Sequence, residues 1–199
     1  MADNFDPIDS ARANMILESL LDTPFSEDDD HLQFLLRQGN LTVEGDFEME
    51  PNEVVIVVGN LTVTGCLADQ FYNEDDFSKV YVLGNLSARD MVCGSEVRVT
   101  GNLTVENVLY ANSFDVDTLG VSGKLSAKVF IEDGHQVEFG AFEVGTLISD
   151  DETWREVKPE AVIGDFETVL QDHVLSEDGK VVLGDALHQE LKAGRSVLR

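Results

Sequence analysis

One pentapeptide constrains this chain more than any other feature. Gly39-Asn40-Leu41-Thr42-Val43 returns as Gly59-Asn60-Leu61-Thr62-Val63, as Gly84-Asn85-Leu86-Ser87-Ala88 and as Gly101-Asn102-Leu103-Thr104-Val105. Gly123-Lys124-Leu125-Ser126-Ala127 is a weaker copy. The copies start 20, 25, 17 and 22 residues apart, and short alternating apolar runs such as 54–58, 80–83 and 97–99 lie between them. Alternation sends the Leu and Val of each copy to one side of a strand and the middle residue to the other. Strands this short are unstable alone. Stacked in register at about 4.8 Å per rung, each inward Leu or Val meets its counterparts above and below. Glycine at the motif start permits a sharp corner. The asparagine after it tolerates left-handed dihedrals and can bond the neighbouring rung as a ladder. Insertions at corners leave the stacked strands intact, so uneven spacing is expected. The pattern predicts a mainly β protein, a short right-handed parallel β-helix of about five rungs, one per motif copy. An antiparallel sandwich or barrel has no need of one shared turn motif. A left-handed hexapeptide helix needs a strict period that is absent.

The flanks divide the chain into 1–38, a helical N-terminal cap; 39–148, the repeats; and 149–199, a small α+β extension. Asp9 or Ser10 caps a helix through Ala11, Met15, Ile16, Leu20 and Leu21, which Thr23-Pro24 ends. Ser26 with Asp29 resembles a capping box, and Leu32, Leu35 and Leu36 continue it as a second helical stripe. After Ile148 the repeat fades. Val162–Ile163 and Val181–Leu183 read as strands. Asp185 caps a last helix through Leu187 and Leu191, which Gly194 ends.

The chain's 39 acidic and 13 basic residues give a formal charge of −26. The three segments carry −7, −13 and −6, so the acidity is global. Such a field repels nucleic acid and anionic membranes and attracts basic partners. Solubility or a salty habitat is the competing explanation. Cys66 and Cys93 lie among apolar neighbours and read as buried free thiols of a reducing cytoplasm. Residues 1–9 have no signal-peptide pattern, and no run reaches membrane-spanning length. The sequons at Asn40, Asn60, Asn85 and Asn102 follow from the repeat.

Catalytic chemistry is not legible. His31, His135, His173 and His188 lie in different segments without a triad partner in sequence. Gly94-Ser95 lacks a nucleophile-elbow pattern. The two cysteines are not paired, no His-x-x-x-His occurs, and Asp28-Asp29-Asp30 diverge rather than converge on an ion. Phosphate loops and dinucleotide fingerprints are absent. The repeats carry only Lys79, Arg89, Arg98, Lys124 and Lys128, too few for a groove that cleaves acidic polysaccharides. The expectation is a non-enzyme with no cofactor and no metal.

One segment departs from the repeat. Asp69-Gln70-Phe71-Tyr72-Asn73-Glu74-Asp75-Asp76-Phe77 sits in the longest interval and reads as an excursion from the second rung. Its aromatics and acids suit a basic, partly apolar partner, with Asp69, Phe71, Tyr72, Glu74, Asp75, Asp76 and Phe77 as contact residues. Against this, the aromatics can fold back onto the solenoid. The segment from Tyr110 to Phe114 can flank it on a later rung.

The Gly-Asn-Leu-Thr-Val rungs over 39–148 resemble those of bacterial polymer-forming, bactofilin-like solenoid proteins, and most of all the soluble acidic members. The resemblance implies fold more strongly than function. Two functions follow as expectations. The first is an acidic protein-binding module, an immunity or inhibitor protein that occludes a basic toxin or nuclease in the cytoplasm, with no nucleic-acid or membrane partner. The second is a bactofilin-like scaffold. Filaments of that kind need exposed terminal rungs, so flanks that cap the ends predict a monomer or small homo-oligomer instead.

Overall fold

A computed structural model describes residues 4–21, 23–26, 29–69, 78–113, 118–149, 154, 166–179 and 182–199. The strands are β1 (Asp6–Ile8), β2 (Gln33–Gln38), β3 (Leu41–Val43), β4 (Phe47–Glu48), β5 (Glu53–Val58) and β6 (Leu61–Asp69). There follow β7 (Lys79–Val82), β8 (Leu86–Cys93), β9 (Glu96–Val99), β10 (Leu103–Asn112), β11 (Thr118–Asp133) and β12 (Gln136–Ile148). The helices are α1 (Ser10–Leu17), α2 (Phe166–Val169) and α3 (Gly184–Lys192).

These strands form a β-solenoid of about five turns with three faces. The first face stacks β2, β5, β7, β9 and the starts of β11 and β12, all parallel. The second stacks β3 on the starts of β6, β8 and β10 and on the middles of β11 and β12. The third begins at β4 and runs through the ends of the same long strands. On the second face the motif leucines align, Leu41 on Leu61, Leu86, Leu103 and Leu125, each at most 5% exposed. Each such leucine contributes about 2 kcal/mol of apolar burial. Phe142 stands next in that column, so Gly140-Ala141-Phe142-Glu143-Val144 is a further, degenerate layer.

The asparagine ladder is present. Asn40 Oδ1 accepts from Asn60 N (2.9 Å), Asn60 from Asn85 N (2.8 Å), Asn85 from Asn102 N (2.8 Å) and Asn102 from Lys124 N (2.9 Å). The glycines beside it serve two purposes, the expected corner conformation and close stacking. Only Gly39 (φ +83°) and Gly59 (φ +149°) among the motif glycines need a positive φ. Gly101 and Gly123 are required by stacking, since a Cβ on either falls 2.6 Å from the carbonyl oxygen of the glycine one turn below.

The second N-terminal helix is not formed. The Ser26–Asp29 contact exists, with Ser26 N donating to Asp29 Oδ2 (2.6 Å), but residues 33–38 are β2, so the solenoid begins before Gly39. The cause is burial on both sides. Leu35 points into the solenoid, while Phe34 and Leu36 face outward beneath Ala13 and Leu17 of α1. A strand covered on both faces loses its alternation, and its leucines then mimic helical spacing.

The N-terminal segment therefore does two things. α1, capped by Asp9 Oδ1 accepting from Arg12 N (2.8 Å), covers the outer side of the first face over its early turns, including Ile56 and Tyr81. β1 pairs antiparallel along the free edge of β2, and Phe5 stacks on Phe47 at 6.1 Å. At the opposite end Trp154 packs against Phe130, Phe139 and Phe142 at 5.3–5.9 Å.

The C-terminal segment lies on the outer side of the third face. Leu170, Val174, Leu187, Leu191 and Val197 bury Ala68, Val92, Tyr110 and Ile131. Lys192 Nζ donates to both carboxylate oxygens of Glu48 (2.7 and 2.8 Å), docking α3 on β4. Leu183, not Asp185, occupies the cap position of α3, and Gly194 (φ +66°) ends it as expected. Val182 makes a single bridge to Leu175; the other expected strand, 162–163, lies outside the described residues.

Candidate functional site

Each turn of the solenoid has three corners, and they differ in tolerance. The first carries the asparagine ladder. At the second, between the second and third faces, carboxylates take its place: Asp46 Oδ1 accepts from Cys66 N (2.8 Å) and Asp90 Oδ1 from Val108 N (3.2 Å). At the third, the chain crosses with only Gly94–Ser95 or Gly134–His135 in two turns, but spends residues 70–78 and 113–117 in two others. The length of chain between consecutive described strands therefore varies most at the third corner.

A buried polar column runs beneath it. Asp69, Cys93, Ala111 and Glu132 stand in register at the end of the third face, and Ser149 follows in the next layer. Asp69 is 1% exposed. It accepts from Gly94 N (2.7 Å) and from Ser95 Oγ (3.0 Å). The Ser95 hydroxyl also touches the Ser78 carbonyl. One buried serine therefore ties together the residue where the chain leaves the second turn and the residue where it returns. A hydroxyl has one hydrogen to give, so Ser95 donates to the carboxylate or to the carbonyl, and the Gly94 N–H satisfies Asp69 in either case.

Glu132 is the second hub. It accepts from Gly134 N (3.0 Å), His135 N (3.1 Å), Trp154 Nε1 (3.1 Å) and Ser149 Oγ. Between the hubs, Cys93 Sγ lies 3.7 Å from His135 Nε2 and 3.4 Å from Ser95 O. Burial pushes His135 down to about 4, so the imidazole is neutral at pH 7. The pair has the composition of a thiol nucleophile and a base, yet its geometry serves the core. Cys93 is fully buried, and Glu132 engages the backbone N–H of His135 rather than its ring. Cys66 lies under the C-terminal segment, and its thiol is pushed up to about 12 by burial, then by Asp90 and Asp46. Both cysteines are buried and neither is in a disulfide.

Of the contact residues expected from sequence, Asp69 is thus a buried structural group, not a surface contact. It ends β6, and its side chain points into the solenoid because it continues the inward alternation of Leu67. Phe71, Tyr72, Glu74, Asp75, Asp76 and Phe77 lie outside the described residues. Tyr110 is 4% exposed beneath the C-terminal segment, and its hydroxyl donates to Asp133 Oδ2 (3.2 Å); it presents no ring to a partner. Phe114 lies outside the described residues.

Sequence reasoning missed Ser95, Ser78, Glu132 and the Cys93–His135 contact. A usable signal existed: Asp69, Cys93, Ala111, Glu132 and Ser149 each fall nine or ten residues after their motif glycine. Aligning the copies from that glycine exposes the column.

Outside this corner, Arg98 crosses the first face. It contacts Glu96 Oε1 (3.3 Å) and reaches Glu138 Oε2 (3.2 Å) by lying over Gly120, where a Cβ would sit 2.8 Å from Arg98 Cδ. With Leu20 and Leu21 it borders a groove of about 410 Å³. Among the described residues no three His, Cys, Asp or Glu side chains gather as a metal site, and no helix is long and apolar enough to cross a membrane.

Comparison with known proteins adds little chemistry. No family model matches the chain, and no solved structure matches it. The chain is similar to an uncharacterized protein of Escherichia coli (strain K12), YdbD, with 33% identity over 82 residues. That stretch is 40% of this chain and spans 10% of the relative.

Proposed function

We propose that this protein is a non-enzymatic, acidic protein-binding module of the immunity or inhibitor kind, acting in the cytoplasm by occluding a basic partner such as a toxin or nuclease. The observation that carries the reading is the anchored root of the excursion. The segment holding Phe71, Tyr72, Glu74, Asp75, Asp76 and Phe77 lies in sequence between Asp69 and Ser78, both of which are in contact with buried Ser95. A fixed root limits the ordering entropy that binding costs. The net charge of −26 adds attraction for a basic surface.

The bactofilin-like scaffold ranks second. End-to-end stacking requires a free strand edge, and β1 occupies the edge of β2. Trp154 lies over the phenylalanines of the last layers. These features favour a monomer or small oligomer.

The test is capture of a partner by tagged protein at low salt. A basic protein should co-purify, and Glu74→Gln, Asp75→Asn, Asp76→Asn and Phe77→Ser combined should release it while leaving the melting temperature within a degree or two. Capture unaffected by these changes, or no basic protein captured at all, would sink the proposal.

A further inference from the structure

A cleft of about 160 Å³ opens between the second corner of the solenoid and the segment that follows α3. Arg89, Lys128 and Arg195 line it, with Asn107 beside them. Three of the chain's 13 basic residues thus meet at one small cleft, whereas Asp90 alone of its 39 acidic residues is among the lining. The three come from separate elements: Arg89 from β8, Lys128 from β11, Arg195 from beyond α3.

Carboxylates already stand against two of these cations, Asp90 and, at 3.9 Å, Asp46 against Arg89, and Glu190 against Arg195, yet N–H donors remain beside these bonds. Arg89 gives Nε to Asp90 (2.7 Å) and Nη2 to the Leu191 carbonyl (2.6 Å). These bonds lock the guanidinium in place at the C-terminal end of α3, and Nη1 faces Gly194, where a Cβ would be 3.5 Å away. Arg195 is held by Glu190 through Nε and Nη2. Lys128 is exposed and has no ion-pair partner among the described residues. We propose that this cleft is a binding site for one tetrahedral oxyanion of the phosphate class. Three cationic groups around a cleft of this size suit an anion that offers three or more oxygens, and arginine and lysine are the side chains best matched to it. The site does not rest on the partner reading above.

A bound anion would bridge the solenoid to the C-terminal segment, so binding should appear as stabilisation. The experiment is thermal unfolding and phosphorus NMR titration of the whole chain with inorganic phosphate, against sodium chloride at equal ionic strength. Phosphate should raise the melting temperature beyond the chloride control. Lys128→Ala and, separately, Lys128→Gln should weaken phosphate binding about tenfold, the weight of one charge-assisted hydrogen bond. Lys124→Ala, on the second face and paired with Glu143, should leave it unchanged. A parallel titration with phosphoserine separates a free anion from a phosphorylated chain: tighter binding of the monoester supports the second source, tighter binding of inorganic phosphate the first. Phosphate acting no better than chloride, or equally on the wild type and both Lys128 variants, overturns the proposal.

Discussion

A solenoid asks each residue to satisfy neighbours in three consecutive turns, which gives single positions unusual weight. Asn85 stands in the ladder with its Oδ1 on Asn102 N and its own N–H on Asn60 Oδ1. Asn85→Ala removes one acceptor from a partly exposed N–H, so a loss of about 1 kcal/mol, seen as roughly 2–4 °C in a melt followed by circular dichroism, is expected. Gly101→Ala is the harsher change. Its Cβ strikes the backbone of Gly84, which cannot swing aside, and the Asn85 side-chain oxygen, which can move only by giving up its ladder bond, and overpacking of this kind costs roughly 3 kcal/mol. If the two variants melt alike, stacking is not what requires the glycine. His135 makes a prediction in pH. Its folded value of about 4 lies below the ordinary value near 6.5. The unfolded chain therefore takes up the proton first, and stability is fully present above about 6.5 and is lost as pH falls toward 4. At most about 3 kcal/mol is involved. Melting temperature across pH 4–7 should fall less steeply for His135→Gln than for the wild type.

At the scale of elements, the flanks decide what the solenoid can do. β1 is only three residues long, yet it occupies the backbone edge of β2. Removing residues 1–8 should expose that edge and the Phe47 ring, and light scattering should then show association that grows with concentration. A truncated protein that stays monomeric would mean that β1 is not the cover. α1 shields Phe34, Leu36, Ile56 and Tyr81, and Leu17 is fully buried within that layer. Leu17→Ala should cost roughly 3 kcal/mol in chemical denaturation. The same covering explains the misread of β2. A sequence reveals which residues avoid water, but it does not reveal whether one layer or two keeps them from it. Leu32, Leu35 and Leu36 satisfy a helical spacing as readily as a doubly buried strand.

Over the whole molecule the acidity is not of one kind. Asp46, Asp69, Asp90 and Glu132 accept hydrogen bonds inside the fold and bind turn to turn. Others pair with basic side chains, as Glu138 does with Arg98, and exposed acids such as Glu106 add to the repulsion in a chain of net charge −26. Raising sodium chloride from 10 to about 150 mM shortens the screening length to about 8 Å and should raise the melting temperature. A fall on adding salt would mean that the ion pairs across the turns outweigh the repulsion. Among the described residues, α1 covers the outer side of the first face and the C-terminal segment that of the third, while β1 pairs with one strand edge of the first turn and Trp154 packs on the last layers.

The sequence by itself determined the repeating unit, the three-residue alternation that makes leucine and valine columns, and the asparagine ladder. Each of these depends on contacts between equivalent positions, so periodicity alone discloses them. It also marked where the repeat is interrupted, at the residues after Asp69. The tertiary structure alone decided that Ser95 contacts both feet of that interruption and that Cys93 meets His135 from 42 residues away. It alone brought Arg89, Lys128 and Arg195 to one cleft. Those contacts join positions that are not equivalent in the repeat, across corners of uneven length and from flanks packed against its sides. No period relates such residues, and only the path of the folded chain sets the distance between them.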